Sequence, residues 1–169
     1  MIVKTIKVGY LETNCYILIK NDKALIIDPG DEYNKIYEEI KGLKVQAILI
    51  THYHFDHIGA LKYFNNIKKI DYTQEEKEYQ IGEFKFEIIK TPGHTNDSIT
   101  YYFKEEKIMF VGDFVFEESI GRTDLETGNM IEMEKSIEKI KKYPKNIQIY
   151  PGHGNATTLN REIENNPFF

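Results

Sequence analysis

THYHFDH, residues 51–57, holds three of the chain's five histidines and one carboxylate within seven residues. It follows directly after the apolar run AILI, residues 47–50, which predicts a buried strand. A lone histidine is usually an ordinary surface or hydrogen-bonded residue, but imidazoles and carboxylates clustered this closely are a donor set for zinc, iron or manganese. The segment therefore predicts a metal site at the end of a strand.

The alternation of side chains within this segment predicts how they divide. In an extended chain, neighbouring side chains point to opposite sides, so we expect His52 and His54 to face a common ion. By the same alternation, Tyr53 and Phe55 are expected to pack into the interior. The chain must turn near Asp56, which would direct the last two side chains of the segment to a neighbouring position.

The two remaining histidines lie in similar surroundings. His94 and His153 each end a Pro-Gly-His tripeptide that follows an apolar run, and Asp113 ends a Val-Gly-Asp tripeptide in a similar place. Glycine permits the tight backbone that a ligand-bearing loop needs at such a position. Together with residues 51–57, these segments predict four strand ends that deliver ligands to one edge of a sheet.

The apolar patterns along the rest of the chain predict an α/β protein with helices that cover sheet faces. Strands are predicted at residues 2–8, 15–19, 24–27, 47–50, 79–81, 84–89, 99–103, 108–111 and 147–150. Helices are predicted at residues 31–43, 58–64, 129–142 and 157–165. A length of 169 residues suits one domain with a sizeable core.

Composition excludes several classes of partner and site. The formal net charge is -5 and the sequence pI about 5.6, which is not the basic footprint of a nucleic-acid-binding protein. A single cysteine, Cys15, allows no internal disulfide or Cys-based zinc site and is expected to be a small core residue in a reducing compartment. No signal-peptide pattern or apolar run of about 18 residues occurs. We therefore expect a soluble cytoplasmic protein with no membrane partner.

The order HxHxDH, Pro-Gly-His, Gly-Asp, Pro-Gly-His resembles that of the metallo-β-lactamase superfamily of hydrolases, over nearly the whole chain. Residues 119–124 (SIGRTD) and 151–169 (PGHGNATTLNREIENNPFF) resemble the glyoxalase II branch more narrowly, in its short single-domain form. The resemblance implies a four-layer αββα sandwich formed by residues 1–169 as one domain, with the metals at the sheet edges.

The resemblance also implies two sets of ligands that together use all five histidines. One metal would bind His52, His54 and His94, the second Asp56, His57 and His153, and Asp113 would bridge the two. Asp56 and Asp113 are thereby expected to be the catalytic carboxylates. The implied cofactors are two divalent ions, zinc first, with iron or manganese as alternatives. One small departure is Gly59-Ala60, where the family motif usually continues Gly-Gly.

The reaction expected at such a site is hydrolysis. The diiron flavoprotein oxygen reductases of the superfamily usually carry Glu where His54 stands, so a flavin partner is not expected. Two divalent ions can hold a hydroxide and polarise the carbonyl that it attacks. An amide nitrogen must be protonated as it leaves, whereas a thiolate, whose parent thiol has a pKa of about 8.5, can leave unprotonated. With every histidine assigned to metal, a small thioester such as S-2-hydroxyacylglutathione is favoured as substrate.

Recognition of the substrate is predicted less fully. Full-length glyoxalase II enzymes have a further C-terminal helical region that contacts glutathione, whereas this chain ends 16 residues after His153, so the identity of the thiol stays open. Arg122 and Arg161 are the two arginines beside 20 lysines, and an arginine suggests a place for a planar bidentate contact. Arg122 is expected either to pair with Asp124 or support the metal ligands, or to bind a substrate carboxylate. Arg161 is expected to be structural.

Two other functions remain open at this point. Persulfide dioxygenases, a related branch, also carry a Gly-Arg-Thr-Asp segment and use one iron, which here would bind His52, His94 and Asp113 by motif position. A non-catalytic metal-binding module is the third possibility, although a purely structural site needs no open position for water.

Overall fold

Two β-sheets pack face to face in the computed structural model, which describes residues 1–169. The first sheet has the strand order β1-β2-β3-β4-β5. Its first three strands are antiparallel neighbours, whereas β4 runs parallel to β3 and to β5. The strands are β1 (Ile2–Val8), β2 (Thr13–Lys20), β3 (Lys23–Ile27), β4 (Lys44–Leu49) and β5 (Lys69–Ile70).

The second sheet has six strands in the order β13-β12-β9-β8-β7-β6. Only β12 and β9 are parallel; the other neighbours are antiparallel. A two-stranded hairpin, β10 and β11, lies outside both sheets. These strands are β6 (Glu78–Ile81), β7 (Phe84–Lys90), β8 (Ile99–Phe103), β9 (Ile108–Gly112), β10 (Val115–Phe116), β11 (Ser119–Ile120), β12 (Gln148–Pro151) and β13 (Thr157–Thr158).

Helices cover the outer face of each sheet. The α-helices are α1 (Tyr33–Ile40), α2 (Phe55–Ile58), α3 (Met130–Ile140) and α4 (Leu159–Asn165), and a short 3-10 helix spans Leu61–Tyr63. The side chain of Asn129 caps α3 by accepting from the Glu132 amide, and Thr158 caps α4 in the same way, which satisfies amides that have no partner inside the helix. No helix is both long and apolar enough to cross a bilayer.

Three apolar clusters hold the layers together. The inner faces of both sheets meet in the central cluster, which contains Leu25, Phe86 and Tyr101. A second cluster lies between the first sheet and α1, and a third lies between the second sheet and helices α3 and α4. The layer order is therefore α-β-β-α, as the resemblance to the metallo-β-lactamase superfamily implies. Cys15 is fully buried in the second cluster, which confirms it as a core residue.

Some predicted elements were wrong or too long. The helix predicted at residues 58–64 is instead α2, which begins at Phe55, followed by the separate 3-10 helix. The helix predicted at 31–43 spans only Tyr33–Ile40, and residues 157–158 form β13 before α4 begins. Strands β5, β10, β11 and β13 have two residues each, too few to show an alternating pattern.

Candidate metal centre

Seven side chains from four loops converge at one end of the sandwich. The loop after β4 and helix α2 bring four of them from the first sheet, and loops after β7, β9 and β12 of the second sheet bring His94, Asp113 and His153. The sequence pattern predicts delivery to the edge of one sheet; that was wrong, because β4 lies in the other sheet. The site therefore bridges the two sheets.

The backbone changes conformation within residues 51–57, and this divides the ligands. His54 is extended, with φ -64° and ψ 144°, and α2 begins at the next residue. His52 and His54 thus join one group of donor atoms, while Asp56 and His57 join another, as the turn near Asp56 predicts. The expected packing of Tyr53 and Phe55 was wrong: they are 39% and 63% exposed because the opposite side of the loop faces solvent.

The donor atoms form three overlapping groups, each within 4.8 Å. The groups are His52, His54 and His94; His52, His57 and Asp113; and Asp56, His57 and His153. In the first group, His94 Nε2 and His54 Nδ1 are 2.9 Å apart, so a proton or a cation must lie between them. In the third group, His153 Nε2 lies 3.2 Å from Asp56 Oδ2.

The first and third groups are called the outer groups here, and Asp113 lies between them. Its Oδ1 is 3.3 Å from His57 Nε2, and its Oδ2 is 3.6 Å from His94 Nε2 and 3.5 Å from His153 Nε2. One carboxylate therefore contacts histidines of both groups. This is the position that a bridging ligand would occupy.

Four of the imidazoles are oriented by acceptors outside the cluster. A backbone carbonyl or a carboxylate only accepts, as does the Thr51 hydroxyl oxygen, whose hydrogen is donated to Asp28. The bonded ring nitrogen therefore carries an N–H, and the other ring nitrogen faces the cluster. The contacts are His52 Nδ1 to Thr51 Oγ1 (3.1 Å), His57 Nδ1 to Asp28 Oδ2 (2.9 Å), His94 Nδ1 to the Arg122 carbonyl (2.8 Å) and His153 Nδ1 to the Leu11 carbonyl (3.1 Å).

The buried polar atoms of the cluster fit cations. His52 Nε2, His57 Nε2 and Asp113 Oδ1 are buried and have no hydrogen-bond partner, and buried polar atoms are rarely left unpaired. Imidazole nitrogens and carboxylate oxygens are the donors of zinc and of other transition metals. The residues present therefore suit two divalent metal ions, one at each outer group.

The electrostatics of the cluster also favour a cation. Burial and the neighbouring imidazoles lower the pKa of His52 well below its usual value, which keeps this ring neutral and able to donate its lone pair. Burial opposes the charge of His57, but the adjacent carboxylates of Asp113 and Asp28 raise its pKa to about 10. Burial likewise opposes ionisation of Asp56, yet hydrogen bonds and nearby histidine charge hold the pKa of this carboxyl well below its usual range. The site therefore stabilises positive charge beside ionised carboxylates.

Gly152 lets the last ligand loop approach the cluster. A Cβ atom at this position would lie 2.6 Å from His57 Cε1 and would overlap Asp113 Oδ1. Only hydrogen fits there, which explains the glycine of the second Pro-Gly-His tripeptide. The Asn14 side chain also holds this loop, by donating to the carbonyls of Pro151 and Gly154.

Asp28 is the residue that sequence reasoning missed. It is buried, and it accepts from the Thr51 amide (2.8 Å), the Thr51 hydroxyl (2.6 Å) and His57. Taken by itself, the sequence Asp28-Pro29-Gly30 predicts only a turn after a strand. The sequence feature that could have identified Asp28 is a carboxylate at the end of an apolar strand, as at Asp113. Thr13 was also missed; its hydroxyl donates to Asp56 Oδ2 at 2.8 Å.

The guanidinium of Arg122 lies outside the cluster. Its Nε and a terminal nitrogen donate to the two carboxylate oxygens of Asp124 at 2.7 and 2.8 Å, and both side chains are exposed. This is the Asp124 ion pair, one of the alternatives expected from sequence, while a contact with substrate stays a prediction. Arg161 pairs with Glu117 and Glu118.

Comparison with known proteins agrees with this geometry. The family model of the metallo-β-lactamase superfamily matches residues 8–72 and 63–153. The probable metallo-hydrolase YqgX of Bacillus subtilis is 37% identical over 95% of this chain and 94% of its own length. The hydroxyacylglutathione hydrolase GloC of Haemophilus influenzae is 31% identical over 99% of this chain and 98% of its own.

Solved structures match as closely. The B3 metallo-β-lactamase BLEG-1 superposes with a TM-score of 0.95 at 33% identity, covering 99% of both chains. TTHA1623 in a di-iron-bound form superposes with a TM-score of 0.89 at 29% identity, over 99% of this chain and 100% of that chain. ETHE1 from Myxococcus xanthus also has a TM-score of 0.89, at 26% identity, over 99% of this chain and 84% of that chain. The protein is therefore a member of the metallo-β-lactamase superfamily, with its αββα fold.

Proposed function

We propose that this protein hydrolyses small thioesters in the manner of glyoxalase II, with two divalent metal ions as cofactors. The substrate would be S-2-hydroxyacylglutathione or a similar thiol ester. The observation that carries the proposal is that all five histidines contribute a donor atom to one cluster. No imidazole elsewhere in the chain is left to protonate a leaving group.

The two outer groups of the cluster would hold the ions. His52, His54 and His94 would bind one ion, Asp56, His57 and His153 the other, and Asp113 both. Divalent ions in such a pair lower the pKa of water towards neutrality and polarise a substrate carbonyl. Zinc is the first candidate, with iron and manganese as alternatives, since the donors suit all three.

The chain's own residues orient the donors. Thr51 and Asp28 fix the rings of His52 and His57, and the other ring nitrogens point into the cluster. Such outer contacts raise the basicity of a histidine ligand and prevent its rotation. Asp56 is held in the same way by the hydroxyl of Thr13. Little rearrangement is then needed when substrate arrives.

The leaving group decides between the possible carbonyl substrates. A thiolate departs without prior protonation because the pKa of a free thiol is only about 8.5, whereas the amine of an amide requires a general acid. With every histidine in the cluster, thioesters are the substrates that need the least further assistance. The relative named hydroxyacylglutathione hydrolase supports this substrate class, although the BLEG-1 neighbour is named as a β-lactamase.

Metal analysis and a substrate panel test the proposal. Purified protein loaded with zinc, iron or manganese is assayed for thiol release from S-lactoylglutathione and from simple acyl thioesters, with a β-lactam as the competing amide. The expected result is two metals per chain and preferential thioester cleavage, lost in Asp113→Ala and retained in Glu138→Gln, a control at an exposed ion pair with Lys141.

Two outcomes would contradict the proposal. Metal-loaded protein that is folded by circular dichroism but cleaves no acyl thioester would exclude it. One iron per chain, with oxygen uptake on glutathione persulfide, would instead support the persulfide dioxygenase alternative. That alternative leaves the group of Asp56, His57 and His153 unused, although its donors are gathered as closely as those of the first group.

A further inference from the structure

We infer that the thiol half of the substrate carries no net negative charge, so that neutral or cationic thioesters are preferred to those of glutathione. The inference deepens the proposed thioester hydrolysis and rests on it. It comes from the side chains that line the two clefts beside the metal centre.

The larger cleft opens beside His54. Its volume is ≈ 420 Å³, within the range of small-molecule sites. Besides His54, it is lined by Tyr53 and Leu125, and by the carboxylates of Asp97 and Glu126. The cleft therefore offers apolar surface and negative charge next to the first group of metal donors.

A smaller cleft opens beside Asp56 on the other side of the centre. Its lining includes Tyr10, Leu11, Phe55 and Asp31. Tyr10 is 82% exposed and Phe55 63% exposed, which is unusual for large aromatic side chains without a partner. Like the larger cleft, it combines aromatic surface with a carboxylate.

Neither cleft is lined by a lysine or an arginine, although the chain has 20 lysines and two arginines. Asp31, Asp97 and Glu126 form no ion pair with any basic side chain. The guanidinium of Arg122 is engaged by Asp124, through Nε and one terminal nitrogen. Apart from the metal ions of the centre, an anionic ligand would thus meet like charges and no basic side chain in either cleft, which is how a site rejects a partner.

Glutathione is a poor match for clefts lined by carboxylates and no basic side chain. Its two carboxylates and one ammonium leave a net charge of -1 at neutral pH, and the second carboxylate would have no cationic partner. A cationic thiol would be attracted by the carboxylates and could also lie over the aromatic rings. A neutral thiol would avoid the repulsion and retain the apolar contacts.

Matched thioesters test the inference. One acyl group is attached to thiocholine, N-acetylcysteamine and 3-mercaptopropionate, which carry charges of +1, 0 and -1 on similar frames, and S-lactoylglutathione is compared with its glycine ethyl ester. We expect kcat/KM to fall about threefold with each step toward negative charge, the effect of one exposed charge pair. Added NaCl should lower kcat/KM for the cationic thioester and raise it for the anionic one, because salt screens both interactions.

Binding supplies a readout independent of turnover. Calorimetry with the corresponding S-alkyl thioethers, which cannot be hydrolysed, should give the same order of affinity. The double variant Asp97→Asn/Glu126→Gln should reduce the preference for the cationic compound by roughly three- to tenfold. Its new amide oxygen at position 97 can still accept from the Tyr53 amide, the contact that Asp97 makes now. Glu138→Gln, remote from both clefts, should leave the preference unchanged.

The outcomes separate this inference from the proposed function. Hydrolysis and binding that favour the anionic compounds, unaltered in the double variant, would overturn the charge preference while leaving thioester hydrolysis intact. Absence of hydrolysis with every compound would overturn the proposed function and the inference together.

Discussion

Asp28 Oδ2 accepts a hydrogen bond from His57 Nδ1 at 2.9 Å, across 29 residues of sequence. The same oxygen accepts from the Thr51 hydroxyl, which in turn contacts His52 Nδ1. A single buried carboxylate thereby orients one histidine of each outer group. The alignment of the two halves of the cluster depends on it.

Asp28→Asn should weaken metal binding about 10- to 100-fold, the usual effect of removing such an outer contact. Asparagine tolerates the left-handed conformation found here, φ 50°, and its oxygen can still accept from the Thr51 amide. Its NH₂ group, however, would face the two donors that now share Oδ2. Competition with a chromophoric chelator measures the affinity. Asp22→Asn, at an exposed ion pair with Lys44, is the control, and equal affinities for both variants would refute the prediction.

Gly152→Ala should displace the second group of donors, because the new methyl group would overlap Asp113 and His57. We expect a loss of bound metal and a drop in the free energy of unfolding of about 1–3 kcal/mol, the usual cost of overpacking. Gly154→Ala is a matched control two residues away. At Gly154 the φ of 74° disfavours alanine, but no atom lies within 4 Å of the added Cβ. It should therefore cost about 1 kcal/mol and retain the metal, as metal analysis and thermal melts can show.

Removal of metal should lower thermal stability. A ligand at 100 times its Kd stabilises the folded state by about 2.7 kcal/mol, which corresponds to roughly 5–10 °C for a chain of this size. We therefore expect Tm to fall by that amount in excess chelator and to recover when zinc is added back. Asp113→Ala should show little of this shift. A Tm that is identical with and without metal would mean that the cluster does not bind it.

Arg122→Ala should leave metal content unchanged, because His94 is oriented by the backbone carbonyl of residue 122 and not by its side chain. Since Asp124 already engages the guanidinium, we expect KM for S-lactoylglutathione to stay within about twofold, the scale of an exposed ion pair. An increase in KM confined to thioesters that carry a carboxylate would show instead that Arg122 leaves Asp124 to bind substrate.

The sequence predicted the donor cluster well because short local patterns carry it. Three histidines and one carboxylate lie within residues 51–57, and each Pro-Gly-His tripeptide is recognisable where it stands. The role of Asp28 was not predictable in this way. Its contact with Thr51 arises because β3 runs parallel to β4, with Ile27 paired to Leu49, and a parallel pairing across a helical connection leaves no local pattern.

Two other errors have equally specific causes. Helix α2 has four residues, too few to show a helical period, so its start within the histidine segment could not be predicted. Alternation correctly placed Tyr53 and Phe55 opposite the histidines, but it does not reveal whether that side meets the core or solvent. Both side chains are exposed, and they line the two clefts beside the metal centre. The negative charge of these clefts could not be predicted from the sequence either.

The donors come from both sheets, and this has a mechanical consequence. A cation that binds His57 and His153 at once would close a loop on the order of 100 residues, a constraint comparable to a long-range disulfide in a chain that has one cysteine. Amide hydrogen exchange at the C-terminal ends of β4 and β12 should then slow in both strands when metal binds. Separating the sheets at that end would require the coordination bonds to break first.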